Sequence, residues 1–354
     1  NGAGVQRRSS RCSSAAGCSA LEARVDVERE PLTFEPLFME RVWGGSRLAD
    51  RFSKALPAGA VIGESWELVD RPEAQSVVAA GPLAGRSLGE LWRSADRKAL
   101  FGADAAGAGD RFPLLIKLLD CEQTLSVQVH PPAELASELG GEPKTEMWIV
   151  LDATADAHLL TGLRAGVTRD AFERALSAGL DVSDMLHRHD VHPGDAMFLP
   201  SGRIHAIGAG NVILEVQQNS DTTYRVFDFN RRGLDGQPRE LHVGESLKAI
   251  DWDDAEPALV VPDGETLMHN AIFEVDRLSV NETTAAAPEG RCAILMAADG
   301  TVRCGSGSFG AGQLFLITAD AEVRTITADA PVTVLRAMLP VLAPTVGSQP
   351  GDPD

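Results

Sequence analysis

The sequence predicts a mainly β protein, jelly-roll β-barrels with a few peripheral helices. Three observations carry this. Between residues 191 and 229, short apolar segments alternate with tight turns, as in Val191-His192-Pro193-Gly194-Asp195 followed by Ala196-Met197-Phe198-Leu199-Pro200. Several segments alternate with period two: Val212, Leu214 and Val216 fall on one face, Ile213, Glu215 and Gln217 on the other. A second block of short apolar segments separated by Gly and Ala-Asp turns runs from about 272 to 335. Many short strands with Gly/Pro turns imply a sandwich or barrel. The jelly roll is a double-sheet architecture of this kind, with one face of each strand lining the interior.

Composition narrows the function. The chain has 354 residues, 44% hydrophobic and 23% charged, room for two domains and a substantial core. Its formal net charge of −19 argues against nucleic acid as a partner, since phosphate backbones need clustered cations. A local group of Lys and Arg can still hold one phosphate in an acidic protein. No apolar run approaches a membrane span. The five cysteines are odd in number and form no CxxC pair, which favours a reduced, cytoplasmic setting.

Taken in order, residues 1–30 differ from the rest. The run Gln6-Arg7-Arg8-Ser9-Ser10-Arg11-Cys12-Ser13-Ser14 is basic, Ser-rich and aperiodic, and reads as a disordered extension. The lack of acidic residues before Glu22 leaves a transit-like peptide as the alternative. Order is expected from Pro31, with strands in 32–38, 62–69 and 75–78. Ser87 can cap a helix running to about Leu100. Residues 113–120 form a buried strand or short helix containing Lys117. A buried ammonium is costly unless it is paired or reaches a cavity; the alternative is an edge lysine that snorkels to water. Residues 132–139 suit a short helix and 146–151 a strand. Thr168 can cap a helix covering Phe172, Ala175 and Leu176, with a further helical turn at 182–186. A helix follows at 244–250. The acidic, Pro-containing stretch 251–257 separates a catalytic domain (31–250) from a smaller β domain (251–341), and 342–354 is a loose tail. His187, His189 and His192 are assigned to a helix end and a turn, as surface residues.

The chemistry gathers at Leu125-Ser126-Val127-Gln128-Val129-His130. As a strand, it sends Ser126, Gln128 and His130 to one face. An amide and an imidazole two residues apart can converge on one ion. Glu146 and His205 complete a candidate metal site. The spacing Gly194, Pro200, Gly202, His205 resembles the second cupin motif. Gln128-Val129-His130 resembles the first, with Gln in place of its leading histidine.

From about Leu32 to Ile250 the chain resembles the type I mannose-6-phosphate isomerases, in their short bacterial form. The resemblance is carried by Phe38 to Gly45, Ile62-Gly63-Glu64-Ser65-Trp66-Glu67, Leu115 to Pro131, Lys144-Thr145-Glu146, Pro193 to His205, and Gln218-Asn219-Ser220-Asp221-Thr222-Thr223-Tyr224-Arg225-Val226. It implies one zinc ion on Gln128, His130, Glu146 and His205, and interconversion of mannose 6-phosphate and fructose 6-phosphate through an enediol. It further implies Arg225 as the catalytic arginine, Glu215 and Lys117 as candidates for proton transfer, and Ser126 and Lys144 as substrate- or phosphate-binding. A zinc-bound water is a third candidate for the base. The implied partner is a small phosphosugar, with the protein a monomer or homodimer. Lys144-Thr145-Glu146 stands where long-form relatives carry Lys-Pro-Glu, and little separates the catalytic strands that could form the long form's extra helical domain. Two other readings are an iron-dependent cupin oxygenase and a non-catalytic sugar-binding cupin. The Gln ligand and Arg225 weigh against the first, and retention of all four ligands against the second.

Overall fold

The structure is a computed structural model that describes residues 30–105 and 108–341. The expectations for residues 1–29 and 342–354 lie outside the described residues.

Two sheets make the first β unit. A six-stranded sheet runs in the order Ala196–Leu199, Glu146–Ala153, Asn211–Gln218, Leu114–Cys121, Ile62–Leu68, Leu37–Gly45. A five-stranded sheet runs Leu186–Asp190, His158–Leu163, His205–Ile207, Val127–Val129, Tyr224–Phe227. All pairings within both are antiparallel. The alternation of Asn211–Gln218 places Val212, Leu214 and Val216 in one apolar core, while Ile213 packs with Trp148 and Leu119 in another.

The second unit is also a pair of sheets. Thr266–His269, Glu274–Val280, Val332–Met338, Ala293–Ala297 and Leu314–Ile317 lie side by side, and Leu32–Thr33 extends the last of them. Thr283–Ala285, Thr325–Thr327, Thr301–Cys304 and Gly307–Gly310 form the facing four-stranded sheet. The two units share one apolar core, in which Ile116 and Val216 of the first sit with Val275, Ile294 and Leu335 of the second.

The helices are short. Ser87 caps Leu88–Trp92 through a capping box with Glu90, but that helix ends at Trp92 and a second one spans Arg97–Phe101. The predicted single helix is broken because the Ser94 hydroxyl donates to Leu91 O at 2.8 Å and accepts from Asp96 N at 3.2 Å, satisfying the backbone locally. Thr168 caps Arg169–Ser177 as expected, accepting from Ala171 N. The turn at 182–186 is a 3-10 helix at Ser183–Met185, and Val243–Ala249 is helical. His187 and His189 lie on the edge strand Leu186–Asp190 rather than at a helix end.

Candidate metal centre and active site

Strand register builds the site. In the five-stranded sheet Thr161, His205, Gln128 and Arg225 are successive cross-strand partners. In the six-stranded sheet Trp148, Glu215, Lys117 and Trp66 are. Directly opposed residues of an antiparallel pair share a face. Gln128 and Arg225 from one row, and Lys117 and Glu215 from the other, line a single cavity of about 400 Å³. Glu146 opens its strand opposite Gln217 and Leu199, and His130 follows the end of Val127–Val129. Gly202, with φ of +96°, makes the turn before His205, and its N–H bonds to His130 O at 2.8 Å. That backbone conformation favours glycine.

His130, Glu146 and His205 are buried, and one ligand atom from each lies within 4.8 Å of the others. His130 Nε2 is 3.3 Å from Glu146 Oε1. The Gln128 amide lies against His205 Nε2 at 3.2 Å, and rotating that amide by half a turn brings its oxygen there. Backbone carbonyls orient both imidazoles: Nδ1 of His130 faces Thr222 O at 2.8 Å, and Nδ1 of His205 faces Arg203 O at 2.9 Å. A proton on each Nδ1 leaves each Nε2 lone pair aimed at the centre, the arrangement metal-binding histidines use.

The electrostatics fit a cation. Burial, reinforced by the neighbouring His130, pushes His205 down to about 3. Burial and then Lys144 also lower His130, so both rings are neutral ligands at pH 7. Burial raises the Glu146 carboxyl, but Lys144 and the two imidazoles outweigh it and hold it well below the usual range. His130 Nε2 and both Glu146 oxygens make no hydrogen bond although they are buried. Lys144 Nζ is ion-paired with Glu146 Oε1 at 2.9 Å without hydrogen-bond geometry. Two neutral imidazoles and a carboxylate suit zinc, and the Gln128 amide lies beside them.

Lys117 is buried on a central strand, not snorkelling from an edge. Its Nζ lies 3.4 Å from Glu215 Oε1 and 3.8 Å from Glu64 Oε2, and 5.0 Å above the Trp66 ring. Trp148 Nε1 donates to Glu215 Oε2 at 2.9 Å, while the buried Oε1 accepts no hydrogen bond. Burial, then the Glu146 charge, push the Glu215 carboxyl up. Ser126 and Lys144 also line the cavity. Sequence reasoning gave no role to Arg41, Glu64, Asp221 and Arg239, which line it too. Glu64, an acid in a strand-like run, was the one legible signal among them. Its carboxylate accepts from Arg41 Nε at 2.7 Å and Nη2 at 3.2 Å, and from Trp66 Nε1 at 2.6 Å.

Residues 32–146 match the model of the family described as phosphomannose isomerase type I, catalytic domain. Mannose-6-phosphate isomerase ManA of Bacillus subtilis is 42% identical over 248 residues, 70% of this chain and 74% of that protein. The chain belongs to the type I mannose-6-phosphate isomerase family. A crystal structure of the mannose 6-phosphate isomerase from Bacillus subtilis superposes with a TM-score of 0.76 at 30% identity, covering 87% of this chain and 99% of that one. A zinc-bound mannose 6-phosphate isomerase shares the fold, with a TM-score of 0.70 at 18% identity, covering 88% of this chain and 100% of that one. The mainly β, jelly-roll architecture expected from the sequence is therefore that of this family. No helix among the described residues is long and apolar enough to cross a membrane.

Proposed function

We propose that this member of the family is a zinc-dependent aldose–ketose isomerase interconverting D-mannose 6-phosphate and D-fructose 6-phosphate. The observation that carries the proposal is a juxtaposition. One cavity is lined both by Glu215, whose buried Oε1 makes no hydrogen bond, and by Gln128 and Lys144, which lie against His205 and Glu146 of the buried donor set. Gln128, His130, Glu146 and His205 would hold the ion. Bound zinc supplies positive charge that stabilises oxygen charge developing at C1 and C2 of the open-chain sugar.

The barrier is the weak acidity of the C2 hydrogen. Glu215 Oε1 takes that proton and returns it to C1, while the O2 hydroxyl proton passes to O1, so the carbonyl moves from C1 to C2 through an enediol. A carboxyl raised by burial is a stronger base than an ordinary one. Lys117, 3.4 Å away, opposes that rise and steadies the carboxylate's charge. Arg225, the cross-strand partner of Gln128, holds the oxygen charge of the enediolate. Ser126 and Lys144 contact substrate oxygens. The odd cysteine count and the lack of CxxC support a cytoplasmic enzyme, which we take as a monomer or homodimer.

The test is conversion of mannose 6-phosphate to fructose 6-phosphate by the isolated protein, after chelation, and after zinc is restored. Activity that is lost and regained supports the proposal. A folded, zinc-loaded protein without conversion overturns it.

A further inference from the structure

The catalytic cavity opens onto a second one of about 440 Å³, and the two share four lining residues: Arg41, Trp43, Arg225 and Arg239. Carboxylates line both spaces, but none is among the shared residues. The seam between the cavities is thus three guanidiniums and an indole. Arg225 lies nearest the metal donors, since it pairs with Gln128 across the sheet. Arg41 and Arg239 come from other segments, the strand Leu37–Gly45 and the loop between Asp228 and His242.

These cations are incompletely matched. Arg41 is bound by Glu64. Asp228 Oδ1 serves both Arg231, at 2.7 Å, and Arg239, at 3.2 Å. Arg225 Nη1 donates to Glu240 O, and its buried Nε has no partner. Burial, and then repulsion from Arg225, lower the Arg239 guanidinium, with Arg231 and Arg41 adding to that repulsion. A protein of net charge −19 has gathered cations that oppose one another. The loop carrying Arg239 is built to hold it. Phe229 and Asn230 take successive left-handed conformations, Arg232 and Pro238 form an antiparallel bridge, and His242 N bonds to Arg225 O at 2.8 Å.

We infer that Arg239, with Arg41 opposite and Arg225 between it and the metal donors, forms the subsite that grips the substrate's phosphate. This deepens the isomerase reading and rests on it. A sugar phosphate carries its dianion at the end of the carbon chain remote from C1 and C2. A site reading both ends needs its cations displaced from the metal, as these are. Guanidinium forks match phosphate oxygens in bidentate geometry. Lys144, held by Glu146 at 2.9 Å, is committed to the other end.

The experiment measures glucitol 6-phosphate binding by calorimetry, and mannose 6-phosphate kinetics, for the zinc-loaded wild type, Arg239→Gln and Arg239→Lys. Loss of a charge-assisted contact predicts Kd and KM raised about 10- to 100-fold in Arg239→Gln, with a smaller change in kcat. Arg239→Lys should recover part of that loss, which a purely structural role would not require. Kd within about twofold of wild type in both variants overturns the inference. If wild type binds glucitol 6-phosphate and loses it in Arg239→Gln, yet converts no mannose 6-phosphate, the isomerase reading fails and the anion subsite stands.

Discussion

Lys117→Met removes the ammonium between two buried carboxylates with little change in volume. Nζ is 3.4 Å from Glu215 Oε1, and both side chains are about 5% exposed. At an effective dielectric of about 20, charges at that distance interact by about 5 kcal/mol, which corresponds to roughly 3.5 pKa units. Water in the cavity and rotation of the carboxylate toward Trp148 reduce this, so the shift expected is about 1–2 units upward. Glu215 must be ionised to take a proton. Raising its pKa therefore moves the acid limb of the kcat profile to higher pH by the same amount. The variant should be slow at pH 7 and approach wild-type rates at alkaline pH. The assay is kcat against pH from 5 to 10 on zinc-loaded protein, with zinc content measured in parallel. An acid limb unmoved in Lys117→Met, with folding and zinc retained, would show that Glu215 is not the base.

Glu146→Gln removes the anionic donor and should release zinc, read by metal analysis, while leaving a folded protein by circular dichroism. Glu64 has a folded value of about 2 against an unfolded value near 4.5; burial raises it, but Lys117 and Arg41 outweigh that. Its contribution, up to about 3 kcal/mol, is fully present above the unfolded value and lost as pH falls from 4.5 toward 2. Denaturant titrations should show Glu64→Gln flattening the stability loss in that window; an unchanged slope refutes the assignment. Ser87→Ala deletes the Ser87 hydroxyl that accepts from Glu90 N, leaving the Ser87 N–H to Glu90 half of the capping box, and should cost about 1 kcal/mol by urea unfolding, with no effect on KM.

Much of the site is legible because it depends on strand alternation. Placing Gln128 and His130 on one face needs only the period of two. Lys117 announced itself by violating an apolar run. What the sequence could not convey is set at longer range. That Glu215 sits beside both Lys117 and Trp148 is a matter of register between three strands. The carbonyls of Thr222 and Arg203 that orient the imidazoles have no side-chain signature at all. Arg239 lies in a loop without periodicity. Likewise, nothing local in Leu32–Thr33 says that it will extend the second unit's sheet beside Leu314–Ile317.

The charge pattern explains how an acidic chain can handle an anionic sugar. Each of three carboxylates near the cavity has a cation of its own: Glu146 with Lys144 at 2.9 Å, Glu215 with Lys117 at 3.4 Å, Glu64 with Arg41 at 2.7 Å. The pairs cancel, so the burial of so many charges is tolerated. Arg225 and Asp221, which also line the cavity, lie outside these three pairs, Arg239 shares Asp228 with Arg231, and a divalent ion on the histidines would add positive charge. The positive field is therefore confined to the line from the metal donors to the arginine seam, inside a surface that repels polyanions. Substituting a carboxylate of one pair should then weaken metal or base function. Substituting Arg239 should weaken the hold on the substrate's charge. The two kinds of variant should separate in their kcat and KM.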